Sequence, residues 1–300
     1  MKQSVKLILL ALMLLCAYCT KAQDGEATDP GSDAESTANF SDENGTNQVQ
    51  TKRVRRTIGG VQSAIADYPY VVSVILQSGA GTTVYRVGAI ISDTHVLTVA
   101  DGFLYISNGI QSITIRAGSV YKDQGGFTFP VSNYEIHPSY NRATSENNVA
   151  VLTIMGTFSG SANVAPITVA TSEIPFSAGN PTSCVVLGWG RDKSDTVIIH
   201  LNQVVYNLTA DSTCMARFGP LDPTYLCAES VSGYICINFI GFPLVCNNQL
   251  YGLNPNLGDC ETGPRVFVKL PAASIQSFIA PYLPVAASQP PPRKNYVSCP

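Results

Sequence analysis

Nine cysteines and three histidines are the side chains of this 300-residue sequence best suited to covalent, redox or metal chemistry. Cys16 and Cys19 fall in an apolar amino-terminal run. The others, Cys184, Cys214, Cys227, Cys236, Cys246, Cys260 and Cys299, all lie in the second half and form no CxxC pair. That spacing offers neither a zinc motif nor a redox dithiol, so no metal and no cofactor is expected. In an exported chain the expected use of these cysteines is disulfides. An odd number leaves one over, and Cys299, isolated in QPPPRKNYVSCP, is the odd one: a free or capped thiol, or a bridge to another chain. Between Cys236 and Cys246 the stretch CINFIGFPLVC sets Phe239 and Ile240 before a Gly-Phe-Pro corner, large hydrocarbon in what otherwise reads as a loop. Asn39, Asn44 and Asn207 stand in N-x-S/T sequons, which a secreted chain can glycosylate.

Export is the expectation from the first residues. Lys2 and Lys6 precede LILLALMLLCAY, an apolar run of about a dozen residues, the size of a signal-peptide core and too short to span a bilayer. Small residues around Thr20-Lys21-Ala22 place the end of the signal peptide at 1–22. No other stretch approaches spanning length, so a soluble, extracellular protein is expected. Residues 23–56 begin QDGEATDPGSDAESTANFSDENGTNQVQ, acidic and nearly without aliphatic side chains. Such a segment buries too little to offset its ordering entropy and reads as disordered. Its charge reverses at Arg53-Val54-Arg55-Arg56, a dibasic cluster between disorder and order that reads as a processing site ending at Arg56. Net charge is only −3, and no basic stripe suggests a nucleic-acid partner.

The elements that must position these residues lie in 57–284. Short β-branched runs recur there, among them YPYVVSVIL, VGAIISDTHVLTV, SITIRAGSV, NVAVLTIMG, PTSCVVLGWG, TVIIHLNQVVYNL and RVFVKL, separated by Gly, Pro, Asn and Asp turns. This is an all-β pattern of a length for one large domain or two packed barrels. Only LPAASIQSFIAPYL, 270–283, reads as helical, with Ile275, Phe278 and Ile279 on one face. Residues 285–300 form a Pro-rich tail that carries Cys299.

Arg56-Thr57-Ile58-Gly59-Gly60, YPYVVSV at 68–74, GAIIS at 88–92, HPSYN at 137–141, CVVLGWG at 184–190, YLCA at 225–228 and PLVC at 243–246 occur in the order of a known family. With the terminal helix, they make residues 56 to 283 resemble a trypsin-like serine protease. The resemblance implies two packed six-stranded antiparallel β-barrels with a short C-terminal helix, and an active site in the cleft between the barrels. It also implies a serine nucleophile, a histidine that takes its proton and an aspartate that orients the histidine.

At each of these places the sequence departs from the family. The histidine of the family's TAAHC segment falls on Asp101, and a carboxylate does not relay a proton at neutral pH as an imidazole does. The aspartate of DIAL falls on Asn148, and the serine of GDSGGP falls on Ile240, with Asn238 and Phe239 before it. The three histidines have ordinary readings: His95 in the strand leading to Asp101, His137 in the family's HPxY turn, His200 in the apolar strand VIIHLNQVV. By the same alignment Tyr234 takes the floor of the substrate pocket and Leu257 and Arg265 its glycine walls. Pro255 and Asn256 take the edge that pairs with substrate backbone, where a proline has no N–H to give. Phe239 also replaces the carboxylate that receives the new N-terminus after cleavage, so Thr57, if freed, lacks its counter-ion.

The family's disulfides imply the pairs Cys184–Cys246, Cys214–Cys227 and Cys236–Cys260. A further family bridge falls on Arg86 and Gly102, where both cysteines are missing together. The expectation is therefore a secreted serine protease homologue, not an enzyme, acting as cofactor, decoy or adaptor in an extracellular fluid such as haemolymph, venom or seminal fluid. Its partners are expected to be other secreted proteins: an active protease, an inhibitor, or a chain disulfide-linked through Cys299. The resemblance is to homologues of arthropod type, whose immune-cascade members often carry a cysteine-rich module ahead of the protease domain; residues 23–56 hold no cysteine, so the expectation leans to a reproductive-fluid or other extracellular role. The alternatives are an endopeptidase with an unconventional nucleophile and a purely structural glycoprotein.

Overall fold

The computed structural model describes residues 60–104, 106–190, 199–233, 240–255 and 263–284. All lie in the second of the two units into which the chain divides, Met1–Lys52 and Arg53–Pro300. Among the described residues, thirteen strands and two α-helices are formed. The first barrel closes in the order β2-β3-β4-β7-β6-β5, from β2 (Val71–Ser78), β3 (Thr83–Ile90), β4 (His95–Thr98), β5 (Ile110–Ala117), β6 (Phe127–Ile136) and β7 (Ala150–Ile154). The second contains β8 (Ser183–Gly188), β9 (Asn202–Thr209), β10 (Tyr225–Ser232), β11 (Pro243–Cys246), β12 (Gln249–Leu253) and β13 (Pro264–Lys269). It runs β9-β10-β13-β12-β11-β8 and closes through β8–β9, with the two-residue β1 (Val61–Gln62) added on β9. Every strand pairing is antiparallel.

Local chemistry explains the closures. β11 and β12 join through Asn247 and Asn248, both at positive φ (50° and 59°), the twist that a two-residue hairpin of primed type requires and that asparagine tolerates. Val72, Val74, Leu76, Val96, Ile113, Ile115 and Leu152 are buried in the first barrel, and Leu187, Tyr206, Leu244, Leu250, Phe267 and Val268 in the second. Closing each sheet on itself removes the exposed edges on which another chain could pair.

The C-terminal helix α2 is shorter than its sequence pattern: Ala273–Ile279, then a 3-10 turn at Ala280–Tyr282 that contains Pro281. Ile275 and Ile279 are buried. Phe278 packs on His137, ring centroids 4.9 Å apart. Two expectations need correction. A second helix, α1 (Asp211–Phe218), exists; Cys214 is its one buried residue, so it has no apolar stripe to read, and a disulfide to β10 holds it. His200 is not within a strand: it makes an isolated bridge with Tyr121 just ahead of β9. β6 shows no alternating apolar pattern in the sequence, because most of its residues are exposed and Pro130 interrupts it. Among the described residues no helix is long and apolar enough to cross a membrane.

Candidate functional site

Asp101 lies in a 3-10 turn, Ala100–Phe103, that follows β4, and Asn148 lies just before β7. β4 and β7 pair from His95↔Thr153 to Thr98↔Ala150, and that register brings the two residues together at the end of the ladder. Asn148 is fully buried. Its Oδ1 accepts from the Asp101 backbone N–H at 3.0 Å, and its Nδ2 donates to Asp101 Oδ2. The Tyr140 hydroxyl donates to Asp101 Oδ1. Both oxygens of a half-exposed carboxylate are thus held by neutral donors. The salt bridges among the described residues are Lys122–Asp123 and Lys269–Glu173, and neither involves Asp101.

Tyr225 completes the cluster from the second barrel, donating its hydroxyl to the Ser145 carbonyl at 2.6 Å. Burial pushes its phenol far above the ordinary tyrosine range. The Asp101 charge adds to the rise, and hydrogen bonding to Asn148 and Ser145 opposes it. The phenol is therefore a fixed neutral donor at any physiological pH.

Ile240 is buried, 5 % exposed, and its carbonyl accepts from Val87 N–H at 2.9 Å. The preceding residue on β3, Arg86, packs across Gly102: a Cβ placed on Gly102 would lie 3.5 Å from Arg86 Cγ. Ile240 and the turn that carries Asp101 therefore abut the same middle part of β3. The Arg86 guanidinium donates to the Tyr85 carbonyl at 2.9 Å, and desolvation lowers its pKa. Gly241 follows at φ +87°, where a Cβ would strike the Val87 carbonyl oxygen at 2.1 Å. Only glycine fits so close to another backbone. The Thr98 hydroxyl beside it is committed to the Val87 carbonyl at 2.7 Å.

What this arrangement offers is hydrogen bonding and charge. Asp101, Asn148, Tyr140, Tyr225 and Ile240 include no thiol or aliphatic hydroxyl, and no imidazole stands among them. A histidine beside a serine hydroxyl does occur among the described residues, but elsewhere, in the β3–β4 hairpin. There His95 Nδ1 lies 2.8 Å from Ser92 Oγ and 3.0 Å from Thr94 Oγ1. Ser92 is buried, and the His95 ring packs edge-on against Tyr282. Burial lowers the His95 pKa, with Glu135 opposing. His137 is tied into its turn, accepting from Ser139 N–H at 3.1 Å and donating to the Ser274 carbonyl at 3.2 Å. No group of three or more potential metal ligands occurs among the described residues.

Arg265 is buried on β13, opposite Ala228 of β10, and Pro255 is also buried. Asn207 sits within β9, half-buried between Ser183 and Glu229 of the neighbouring strands. Disulfides join Cys184 to Cys246, which are register partners on β8 and β11, and Cys214 to Cys227, which ties α1 to β10. Asn39, Asn44, Arg56, Tyr234, Cys236, Asn238, Phe239, Leu257, Cys260 and Cys299 lie outside the described residues. Sequence reasoning missed three contributors: Tyr140, Tyr225 and Phe242. Tyr140 was visible as the last residue of the HPSY turn and Phe242 as the middle of the Gly-Phe-Pro corner, but their contacts are long-range.

A sequence model described as Trypsin matches residues 57–279. Trypsin delta of Drosophila erecta is 29% identical over 204 residues, 66% of this chain and 77% of that protein. Hypodermin-A of Hypoderma lineatum is 28% identical over 235 residues, 75% of this chain and 86% of that protein. In fold, the chain is similar to the scabies mite inactivated protease paralogue S-D1, with a TM-score of 0.64 at 21% identity, covering 75% of this chain and 97% of the other.

Proposed function

This chain belongs to the trypsin family, and from that premise we propose that it is a secreted serine protease homologue that binds other extracellular proteins rather than cutting them. The observation that supports the reading is what occupies the positions aligned with the family's triad: a carboxylate clamped by an amide and a phenol, and a buried isoleucine. Acyl transfer needs a nucleophile and a base able to take its proton. Asp101 is a poor base for a hydroxyl at neutral pH, and Ile240 has nothing to ionise. The sequence positions Tyr234, Phe239, Leu257 and Arg265 add a blocked pocket and a missing counter-ion to this reading. The name of the mite paralogue describes an inactivated member on the same fold, which gives the reading a precedent in architecture.

The signal peptide at 1–22 and the retained disulfides fit an oxidising extracellular fluid, haemolymph or seminal fluid. Partners are then an active protease, its inhibitor, or a chain captured covalently by Cys299. The rival reading, an unconventional endopeptidase, has one specific point in its favour, the Ser92–His95 contact. That contact spans three residues of a hairpin, shares its nitrogen with Thr94, and leaves the hydroxyl buried.

Purified protein, cleaved after Arg56, is expected neither to turn over peptide or ester substrates nor to react with a serine-directed covalent probe. Mass spectrometry of the probe-treated chain decides between the readings. Stoichiometric labelling of any one residue overturns the binding role, and labelling at Ser92 installs the rival.

A further inference from the structure

Phe242 is 3 % exposed, and its ring lies directly on the backbone of Gly188. A Cβ on Gly188 would stand 2.1 Å from Phe242 Cδ1, and one on Gly190 would stand 4.0 Å from Cζ. The segment around this ring is bonded on two sides. The Ile240 carbonyl takes Val87 N–H of the first barrel at 2.9 Å; Gly241 N–H gives to the Asn254 carbonyl, and Asn254 N–H to the Phe242 carbonyl, each at 2.8 Å, in the second. Pro243 then enters β11. Three consecutive residues thus tie the middle of β3, the end of β12 and the end of β8 to one another. The adjoining Trp189 is buried and donates its indole N–H to the Val120 carbonyl of the first barrel at 2.7 Å.

We propose that Ile240-Gly241-Phe242 is a built-in latch that fixes the junction of the two barrels in one arrangement whether or not the Arg56–Thr57 bond is cut. All of these contacts lie between residues 87 and 254, and none involves a residue at that bond. They consist of backbone hydrogen bonds and one buried ring, and none uses a charged group. Among the described residues of this junction, Gly188–Gly190 and Ile240–Cys246, these contacts do not await a newly released ammonium, because the aromatic ring already occupies the space against Gly188. For the binding role proposed above, on which this consequence rests, a partner that recognises the barrel junction meets the same surface before and after processing. Cleavage then serves to release the acidic segment, not to shape the domain.

Hydrogen exchange of the uncleaved chain and of the same preparation cut after Arg56 tests this. Peptides covering Gly188–Gly190 and Ile240–Cys246 are expected to exchange within about twofold of each other in the two forms. Slowing of these peptides by about tenfold or more on cleavage overturns the latch. Phe242→Gly is expected to speed exchange of both peptides by at least about tenfold in both forms, and an unchanged pattern refutes the proposal. Should that variant fail to fold, Phe242→Leu keeps an apolar side chain but not the ring. It is expected to speed the Gly188–Gly190 peptide while β6 peptides stay as they were, and native exchange there also overturns the idea. Turnover is measured on the same two samples. Activity with equal exchange removes the binding role and leaves the latch, whereas slowed exchange without activity does the reverse.

Discussion

Asn148 does at this site what no other uncharged side chain of its size can do, because an amide accepts at one end and donates at the other. It satisfies the Asp101 N–H and one Asp101 oxygen while fully buried. Asn148→Ala leaves that N–H without a partner in a dry place, so denaturant melts are expected to show a loss of about 1–3 kcal/mol. Asn148→Asp, the family residue, keeps the acceptor but sets a second carboxylate against the first. At pH about 8 it is expected to cost more than the alanine, and the excess should shrink near pH 4, where a shared proton lets one carboxyl donate to the other. His95 gives a second pH signal. Burial depresses its folded pKa, with Glu135 opposing, so the unfolded chain takes up the proton first. Its contribution is complete above the unfolded value of about 6.5 and is lost as pH falls through the lower folded one. The melting temperature is expected to drop between pH about 7 and 5, and less so in His95→Gln. The sequence alone identifies Asp101 and Asn148 by motif, but not the clamp between them. That clamp spans 47 residues and depends on the β4–β7 register.

At the scale of elements, the two disulfides constrain different loops. Cys184–Cys246 encloses a sequence separation of 62 residues and Cys214–Cys227 one of 13. Loop-closure entropy assigns them about 4 and about 3 kcal/mol, the logarithm compressing a fivefold difference in length. Replacing each pair by alanine is expected to lower stability in that order, read by thermal melts of the two double mutants. Reversal of the order would mean that α1 depends on its bridge beyond chain entropy. A helix with a single buried residue has little else to hold it, and the same fact makes α1 illegible in the sequence: its stability is tertiary, and its eight residues carry no periodic stripe. Strands with apolar runs, such as β2 and β13, were readable because nearly every residue in them is buried. β6, with exposed residues on both faces of most of its length, gave periodicity nothing to detect.

For the whole molecule, the binding role proposed above raises the question whether three side chains are all that it lacks of a protease. The triple variant Asp101→His, Asn148→Asp, Ile240→Ser restores a nucleophile, a base and an orienting carboxylate. Geometry argues that it stays inactive. The residue-240 backbone is bonded to Val87, and Phe242 pins the segment against Gly188 two residues later, so a serine placed at 240 inherits the setting of a buried isoleucine. Tyr140, which now donates to Asp101, would face an imidazole instead. Sequence positions 239, 257 and 265 still carry Phe, Leu and Arg, which on the reading proposed above deny substrate the family's pocket and the oxyanion loop its ion pair. The expected outcome is hydrolysis of ester and peptide substrates no faster than buffer, with the fold retained by circular dichroism. Turnover above that background would place the block in the three side chains themselves, and would make the barrel junction a scaffold still shaped for catalysis.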